Sequence, residues 1–244
     1  MNKELLFQSV KSFNVEKVET TTFLIQYFTL IGLNRFKASE EAEKRINTFI
    51  DFINNELIRC SKVGEVCIFQ TSSNKNVTNF NLNFFYVQEL CKELYSGIDT
   101  VEFEVACSKV LKNNLKIENA NVTKAKGDGG YDFYGSYLAK GGSDNYTHSV
   151  IEIFGQSKQY AGNISRPEIE KFLGFIQKNN QNRHYKPTIY IFASTSDYSN
   201  EALQLANSFG IICWTGMQIA SFIFNSLSLR IENPKEALLN YIKK

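Results

Sequence analysis

The chain has 244 residues, of which 43% are hydrophobic and 21% charged, with a net charge of +2. That length holds one large domain or two modest ones, and the composition excludes a disordered or fibrous chain. The near-neutral charge excludes a broadly basic nucleic-acid binder: the part up to residue 94 is balanced and the rest carries the +2.

Residues 1–37 read as helical, with Thr20, Thr21 and Thr22 as cap candidates and Gly32 near a stop. Residues 38–59 give a stronger helix. Ser39 caps it, Glu40, Glu41 and Glu43 crowd its first turn, and Ile46, Phe49, Ile50, Ile53 and Leu57 recur at helical spacing as a core stripe. Residues 65–70 read as a strand, 71–79 as a polar turn and 80–86 as a partner strand. Helices followed by a hairpin is the order of a winged helix, although no recognition-helix motif accompanies it. Residues 87–95 read as a helix, and Ser96, Gly97, Ile98 and Asp99 mark a domain boundary.

From residue 100 the order is clearer. A helix over 101–113 opens on Glu102, Phe103 and Glu104, a strand lies within 115–124, and two further strands carry Asp132 and Gln156. Pro167 takes a first helical position ahead of residues 168–179. Then come a buried-type strand at 187–194, a helix at 199–209 with Gly210 at its C′ position, a short strand at 211–214 and a helix at 217–227. Asn233 caps a terminal helix. This order predicts an α/β sheet with helices on both faces.

Five cysteines, Cys60, Cys67, Cys91, Cys107 and Cys213, form no C-x-x-C, and His148 and His184 are the two histidines. The spacing fits no zinc site and reads as reduced core cysteine in a cytoplasmic protein. No leader peptide is expected, and the longest apolar run, residues 23–33, is too short to span a bilayer, so no membrane partner is expected.

The chemistry concentrates in residues 127–158. A glycine turn of Gly127, Asp128, Gly129 and Gly130 leads to the Asp132 strand, and a second turn at Gly141 and Gly142 leads to residues 149–158, which end in Gln156, Ser157 and Lys158. Side chains alternate along a strand, so Gln156 and Lys158 share a face. Paired as a hairpin, the two strands bring Asp132 near both. A carboxylate with a nearby carbonyl oxygen suits Mg²⁺, and an adjacent ammonium orients a water or stabilises phosphate charge. On spacing alone, an ordinary exposed hairpin with solvated charges is the alternative. The glycine turn lacks the G-K-[S/T] of a phosphate loop and leads into a strand, against a nucleotide-binding enzyme.

This stretch resembles the catalytic core of the Mrr-like restriction endonucleases, a branch of the PD-(D/E)XK nuclease superfamily. The D-G-G-x-D element is matched by Asp128, Gly129, Gly130, Tyr131 and Asp132, and the Q-x-K element by Gln156, Ser157 and Lys158. The resemblance covers about residues 100–225. Phe103 and Glu104 are similar to the pair that opens the first family helix, and Tyr198, Ser199, Asn200, Glu201 and Ala202 to a later family segment. It implies a restriction-endonuclease-like α/β core, a mixed central sheet flanked by helices, over residues 96–244. Residues 1–95, which carry no resemblance, are expected to form a mostly helical N-terminal domain that selects the target or binds a partner.

The implied activity is a metal-dependent endodeoxyribonuclease that uses Mg²⁺ (or Mn²⁺) to cut DNA in restriction or phage defence. Asp132 would be the metal-binding carboxylate and Lys158 the group that orients water. Gln156 would offer its side-chain carbonyl and Ser157 its backbone carbonyl. Glu104 would supply a second acid, with Glu102 as a near neighbour to be confused with it. Asp128 reads as shaping its turn, and Glu152 as a substitute acid. Gln159, Arg166, Arg183 and Lys186 are candidate DNA contacts, in part because residues 182–186 mix basic groups with an aromatic. His184 has no partner motif as a general base. A homodimer is an expectation from double-strand cutting alone. A Holliday-junction or repair nuclease on the same fold stays open, as does a catalytically inactive DNA-binding or assembly module.

Overall fold

The structure, a computed structural model, describes residues 1–117, 119–123, 130–139, 149–181, 187–227 and 232–243. The chain divides into two compact units, Met1–Tyr86 and Val87–Lys244.

The first unit begins with α1 (Lys3–Phe13), capped by the Asn2 side chain, which accepts the Glu4 and Leu5 N–H groups, and stopped by Asn14 at φ 48°. There follow β1 (Lys17–Glu19), α2 (Thr20–Leu30) and the long α3 (Arg35–Val63). Then come β2 (Phe69–Gln70), β3 (Val77–Phe80) and α4 (Asn83–Ser96), which runs across the unit boundary. The three short strands pair antiparallel in the order β1-β3-β2. Phe23, Phe49, Phe69 and Phe80 fill the core, each ring centroid 5.2–6.0 Å from a neighbour.

Several local expectations fail here. Residues 1–37 are not uniformly helical, because β1 separates α1 from α2, and Glu19 rather than a threonine holds the N-cap position of α2. The α3 helix starts at Arg35, four residues before Ser39, since the Asn34 side chain accepts the Lys37 N–H and caps it first. The strand expected over 80–86 ends at Phe80. Asn81 then accepts the Asn83 N–H, and the aromatic run that follows is helical. With β1 in place, the element order and the sheet order are those of a winged helix.

In the second unit α5 (Thr100–Asn114) opens on a capping box. The Asp99 side chain accepts the Glu102 N–H and the Glu102 carboxylate accepts the Asp99 N–H. Then follow β4 (Asn121–Val122), β5 (Phe133–Ala139), β6 (Ser149–Lys158), α6 (Arg166–Gln181), β7 (Thr188–Ser194), α7 (Asn200–Ser208), β8 (Ile211–Trp214), α8 (Gly216–Ser226) and α9 (Pro234–Lys243). Pro167 is the second residue of its helix, not the first. The sheet order is β4-β5-β6-β7-β8, with the first two pairings antiparallel and the last two parallel.

This mixed sheet is covered on both faces. Phe154, Tyr190 and Phe192 pack with Ile169 and Phe172 of α6 and with Ala202 and Ala206 of α7. On the other face Phe133 stacks on Trp214, which meets Phe222 of α8 edge-on, and the buried Phe103 and Cys107 belong to α5. The parallel connections β6-α6-β7 and β7-α7-β8 force the chain to cross over, and so the helix-covered β6 carries the Gln-Ser-Lys end into the middle of the fold. Among the described residues no helix is long and apolar enough to cross a membrane.

Candidate active site

The site is built where β5 begins and β6 ends. The β5–β6 register pairs Phe133 with Gly155, so Asp132, one residue ahead of β5, stands beside Gln156 and Ser157. A side chain at Gly155 would collide with the Phe133 ring, and this close approach is why glycine sits there. Ahead of Asp132, Gly130 holds φ +94°, a left-handed conformation that glycine adopts without strain.

The Asp132 N–H donates to the Gly155 carbonyl at 2.8 Å. Its carboxylate Oδ2 accepts the Ser157 N–H at 2.7 Å and the Ser157 hydroxyl at 3.1 Å. Residues 155 and 157 thus turn their backbone groups to the same side of β6, and the Ser157 carbonyl shares that direction. The sequence reading grouped Asp132 with Gln156 and Lys158; it is Ser157, between them and only 3% exposed, that grips the carboxylate. Gln156 donates its amide to the Gly130 carbonyl at 3.1 Å, which ties Gly130 to β6.

Glu104 and Glu102 part company. The Glu102 carboxylate is engaged in the capping box, whereas Glu104 lies two residues on, half-buried, toward Cys107. Burial pushes the Cys107 thiol well up, and the charges of Asp132 and Glu104 add to that push. The charges of both carboxylates are thus felt at one buried sulfur of α5. Glu152 sits four residues before Gln156 on β6, about 13 Å along the strand, paired with Ser136.

Lys158 ends β6, half-buried, and its backbone carbonyl accepts the Thr195 N–H. Its charge reaches Glu168 in the first turn of α6. A hydrogen bond from Lys171 holds the Glu168 carboxyl below the ordinary carboxylate range, and the charges of Lys171 and Lys158 lower it further. Glu168 also accepts the Tyr160 hydroxyl, a contact that nothing in the local sequence signals.

The expected DNA contacts separate. Gln159 turns inward and gives both amide hydrogens to backbone carbonyls, of Leu94 and Ile98, so it does not fit a phosphate contact. Arg166 is exposed at the start of α6 and donates to Glu170. Asp128, Arg183, His184 and Lys186 lie outside the described residues.

Among the described residues no three His, Cys, Asp or Glu side chains converge as a metal cluster. The expected donors, the Asp132 and Glu104 carboxylates and the Ser157 carbonyl, are all oxygen. That set fits Mg²⁺, which is held by one or two carboxylates and completes its shell with water and substrate phosphate.

A carboxylate ahead of one strand, a Gln-x-Lys at the end of its partner and a helix-borne acid, on a mixed five-stranded sheet, define a domain of the PD-(D/E)XK nuclease class. Residues 95–223, just over half of the chain, match the family described as restriction endonuclease, the Mrr catalytic domain. The chain belongs to this restriction endonuclease family.

Among solved structures the chain is similar to MspJI restriction endonuclease in complex with a 27-mer oligonucleotide, at 16% identity and a TM-score of 0.48, over 72% of this chain and 37% of that one. It is similar to the DNA modification-dependent restriction endonuclease AspBHI at 16% identity and 0.47, over 65% and 40%. It is also similar to restriction endonuclease FokI at 11% and 0.35, over 94% and 44%. The chain spans less than half the length of each. No curated protein matches it.

Proposed function

We propose that this protein is a divalent-metal-dependent endonuclease that hydrolyses DNA phosphodiesters, with Asp132, Glu104 and the Ser157 carbonyl as its metal ligands. The observation that carries this reading is the pair of hydrogen bonds from Ser157 to the Asp132 carboxylate. A carboxylate held at the middle of the Gln156, Ser157, Lys158 segment supports the reading that its charge and the Ser157 carbonyl serve one cation. A bound Mg²⁺ or Mn²⁺ supplies Lewis acidity at the scissile phosphate.

The residues of the chain do the rest. Asp132 is oriented by two donors and keeps its second oxygen for the cation. Lys158 presents a cation beside the reacting phosphate, orienting the attacking water and offsetting the charge that develops on the phosphoryl oxygens. Gln156 carries no charge, so the negative charge of the site rests on Asp132 and Glu104. Arg166, at the start of α6, is a candidate phosphate contact, and Arg183 and Lys186 are candidates on their residue type alone. The winged-helix order of the first unit supports a role in target selection for residues 1–95, within a restriction or phage-defence enzyme that acts as a homodimer on both strands.

The test is incubation of plasmids of differing methylation with and without Mg²⁺. Conversion of supercoiled plasmid to nicked or linear forms only with the metal supports the proposal. No cutting of any plasmid moves the protein to the binding-module alternative.

A further inference from the structure

We propose that Gln159, directly after the Gln-Ser-Lys segment, is a positioning residue that pins the Glu104 helix to the end of β6 and thereby sets the spacing of the metal ligands. The inference rests on the metal-dependent reading above and extends it to a residue that touches neither metal nor DNA.

The geometry is specific. The last carbonyls of a helix have no intrahelical partners. Near the end of α4 the Leu94 carbonyl accepts one Gln159 amide hydrogen at 2.9 Å, and the Ile98 carbonyl in the following turn accepts the other at 3.2 Å. The amide oxygen accepts the hydroxyl of Thr100, the first residue of α5, at 3.0 Å. Two carbonyls and one hydroxyl allow a single orientation of the amide, with nitrogen toward the carbonyls. All of its principal hydrogen-bonding capacity is thus spent on one corner of the chain.

That corner leads into the site. Thr100 and Glu104 are four residues apart on α5, hence on the same helix face. Gln159 is one residue from Lys158 and two from Ser157. The pin therefore joins, across 59–65 residues of sequence, the strand end that holds Asp132 to the helix face that bears Glu104. Two carboxylates contributed by separate elements serve one small cation only if those elements keep a fixed separation. Hydrogen bonds made directly to ligating side chains are worth about 10–100-fold in metal affinity, and the Gln159 amide, which bonds to Leu94, Ile98 and Thr100, acts one step further out, at the low end of that range.

The experiment compares Gln159→Leu, Thr100→Val and Asp132→Ala with the parent by calorimetric titration of Mn²⁺ into DNA-free protein. Plasmid cleavage against Mg²⁺ concentration and DNA affinity in EDTA are measured alongside. For Gln159→Leu we expect Mn²⁺ affinity about 10-fold weaker and half-maximal Mg²⁺ about 10-fold higher, with DNA affinity in EDTA within about twofold of the parent. Thr100→Val, which loses one hydrogen bond, should weaken Mn²⁺ about threefold. If circular dichroism shows Gln159→Leu to be unfolded, Thr100→Val decides, and parent-like Mn²⁺ affinity in it overturns the pin. Parent-like Mn²⁺ affinity in a folded Gln159→Leu also overturns it, while loss of Mn²⁺ binding in Asp132→Ala leaves the metal site standing. Parent-like Mn²⁺ affinity in Asp132→Ala overturns the underlying metal reading itself.

Discussion

Ser157 donates two hydrogen bonds to the carboxylate of Asp132, one from its amide at 2.7 Å and one from its hydroxyl at 3.1 Å, across 25 residues of sequence. Hydrogen bonds to a charged acceptor are short and strong, and two of them fix the direction of the group. The carboxylate is thereby held in one direction by the protein alone. The two neighbours of Ser157 then face the other way along the strand, Gln156 to Gly130 and Lys158 toward the first turn of α6.

Lys158→Ala tests the proposed role of the ammonium separately from that of the proposed metal ligands. Cleavage should fall by about 10²–10³-fold, the usual cost of losing one charge-stabilising donor. Mn²⁺ affinity by calorimetry should stay within about threefold of the parent, and DNA binding should survive because phosphate contacts are spread over many groups.

Gly155→Ala tests the packing beneath the site. The new methyl would strike the Phe133 ring, which is fully buried and stacked on Trp214 at 6.2 Å, so the ring has little room to swing. Overpacking of this kind costs about 1–3 kcal/mol. Urea unfolding should show a lower midpoint with an unchanged slope.

Tyr198→Phe tests the end of the sheet. The Tyr198 hydroxyl donates to the Phe192 carbonyl at 2.6 Å and lies 3.1 Å from the Trp214 carbonyl, linking β7 to β8. Its loss should cost about 1–2 kcal/mol. Burial raises this hydroxyl well above the ordinary value of 10.0. The unfolded tyrosine then loses its proton at a pH where the folded one still holds it, so the contribution is fully present below pH 10 and is lost as pH rises beyond it. Denaturation between pH 9 and 11 should show this decline in the parent and a weaker one in Tyr198→Phe.

Cys67 should be more reactive at neutral pH than Cys60, Cys107 or Cys213. The hydrogen bond from Cys60 is the largest influence on it and lowers it to about 7, against the opposing effect of burial. The same contact raises Cys60, whose sulfur also accepts a hydrogen bond from Arg59 at 3.2 Å. Iodoacetamide labelling followed by peptide mapping should give Cys67 a midpoint near pH 7, and Cys60→Ala should move that midpoint upward.

Much of the second unit was legible from pattern alone. Residues 189–192, Ile-Tyr-Ile-Phe, are an unbroken β-branched and aromatic run, as a strand covered on both faces requires, and Ser199 and Gly210 bracket α7 as cap and stop. The first unit was harder because its cues conflict with its context. Val77–Phe80 is half polar and reads as the end of a turn up to Asn79, yet it is the central strand of its sheet. The residues after Asn83 are aromatic and read as a strand, yet they begin α4. At the site, Asp132, Gln156 and Lys158 were visible through the paired motifs. The grip of Ser157 on Asp132, the capping use of Glu102 and the inward turn of Gln159 were not. The first and last depend on contacts 25 to 65 residues apart, and Glu102 and Glu104 differ only in the helix face that each occupies.

The most direct test of the central claim is single-turnover cleavage of supercoiled plasmid in Mg²⁺ by the parent and by Asp132→Ala, side by side. Removing the charged ligand forfeits several kcal/mol of transition-state stabilisation, and each 1.36 kcal/mol is tenfold in rate. The account predicts that the parent cuts only with metal and that Asp132→Ala is slower by about 10³-fold or more. Cleavage by Asp132→Ala at the rate of the parent would contradict it.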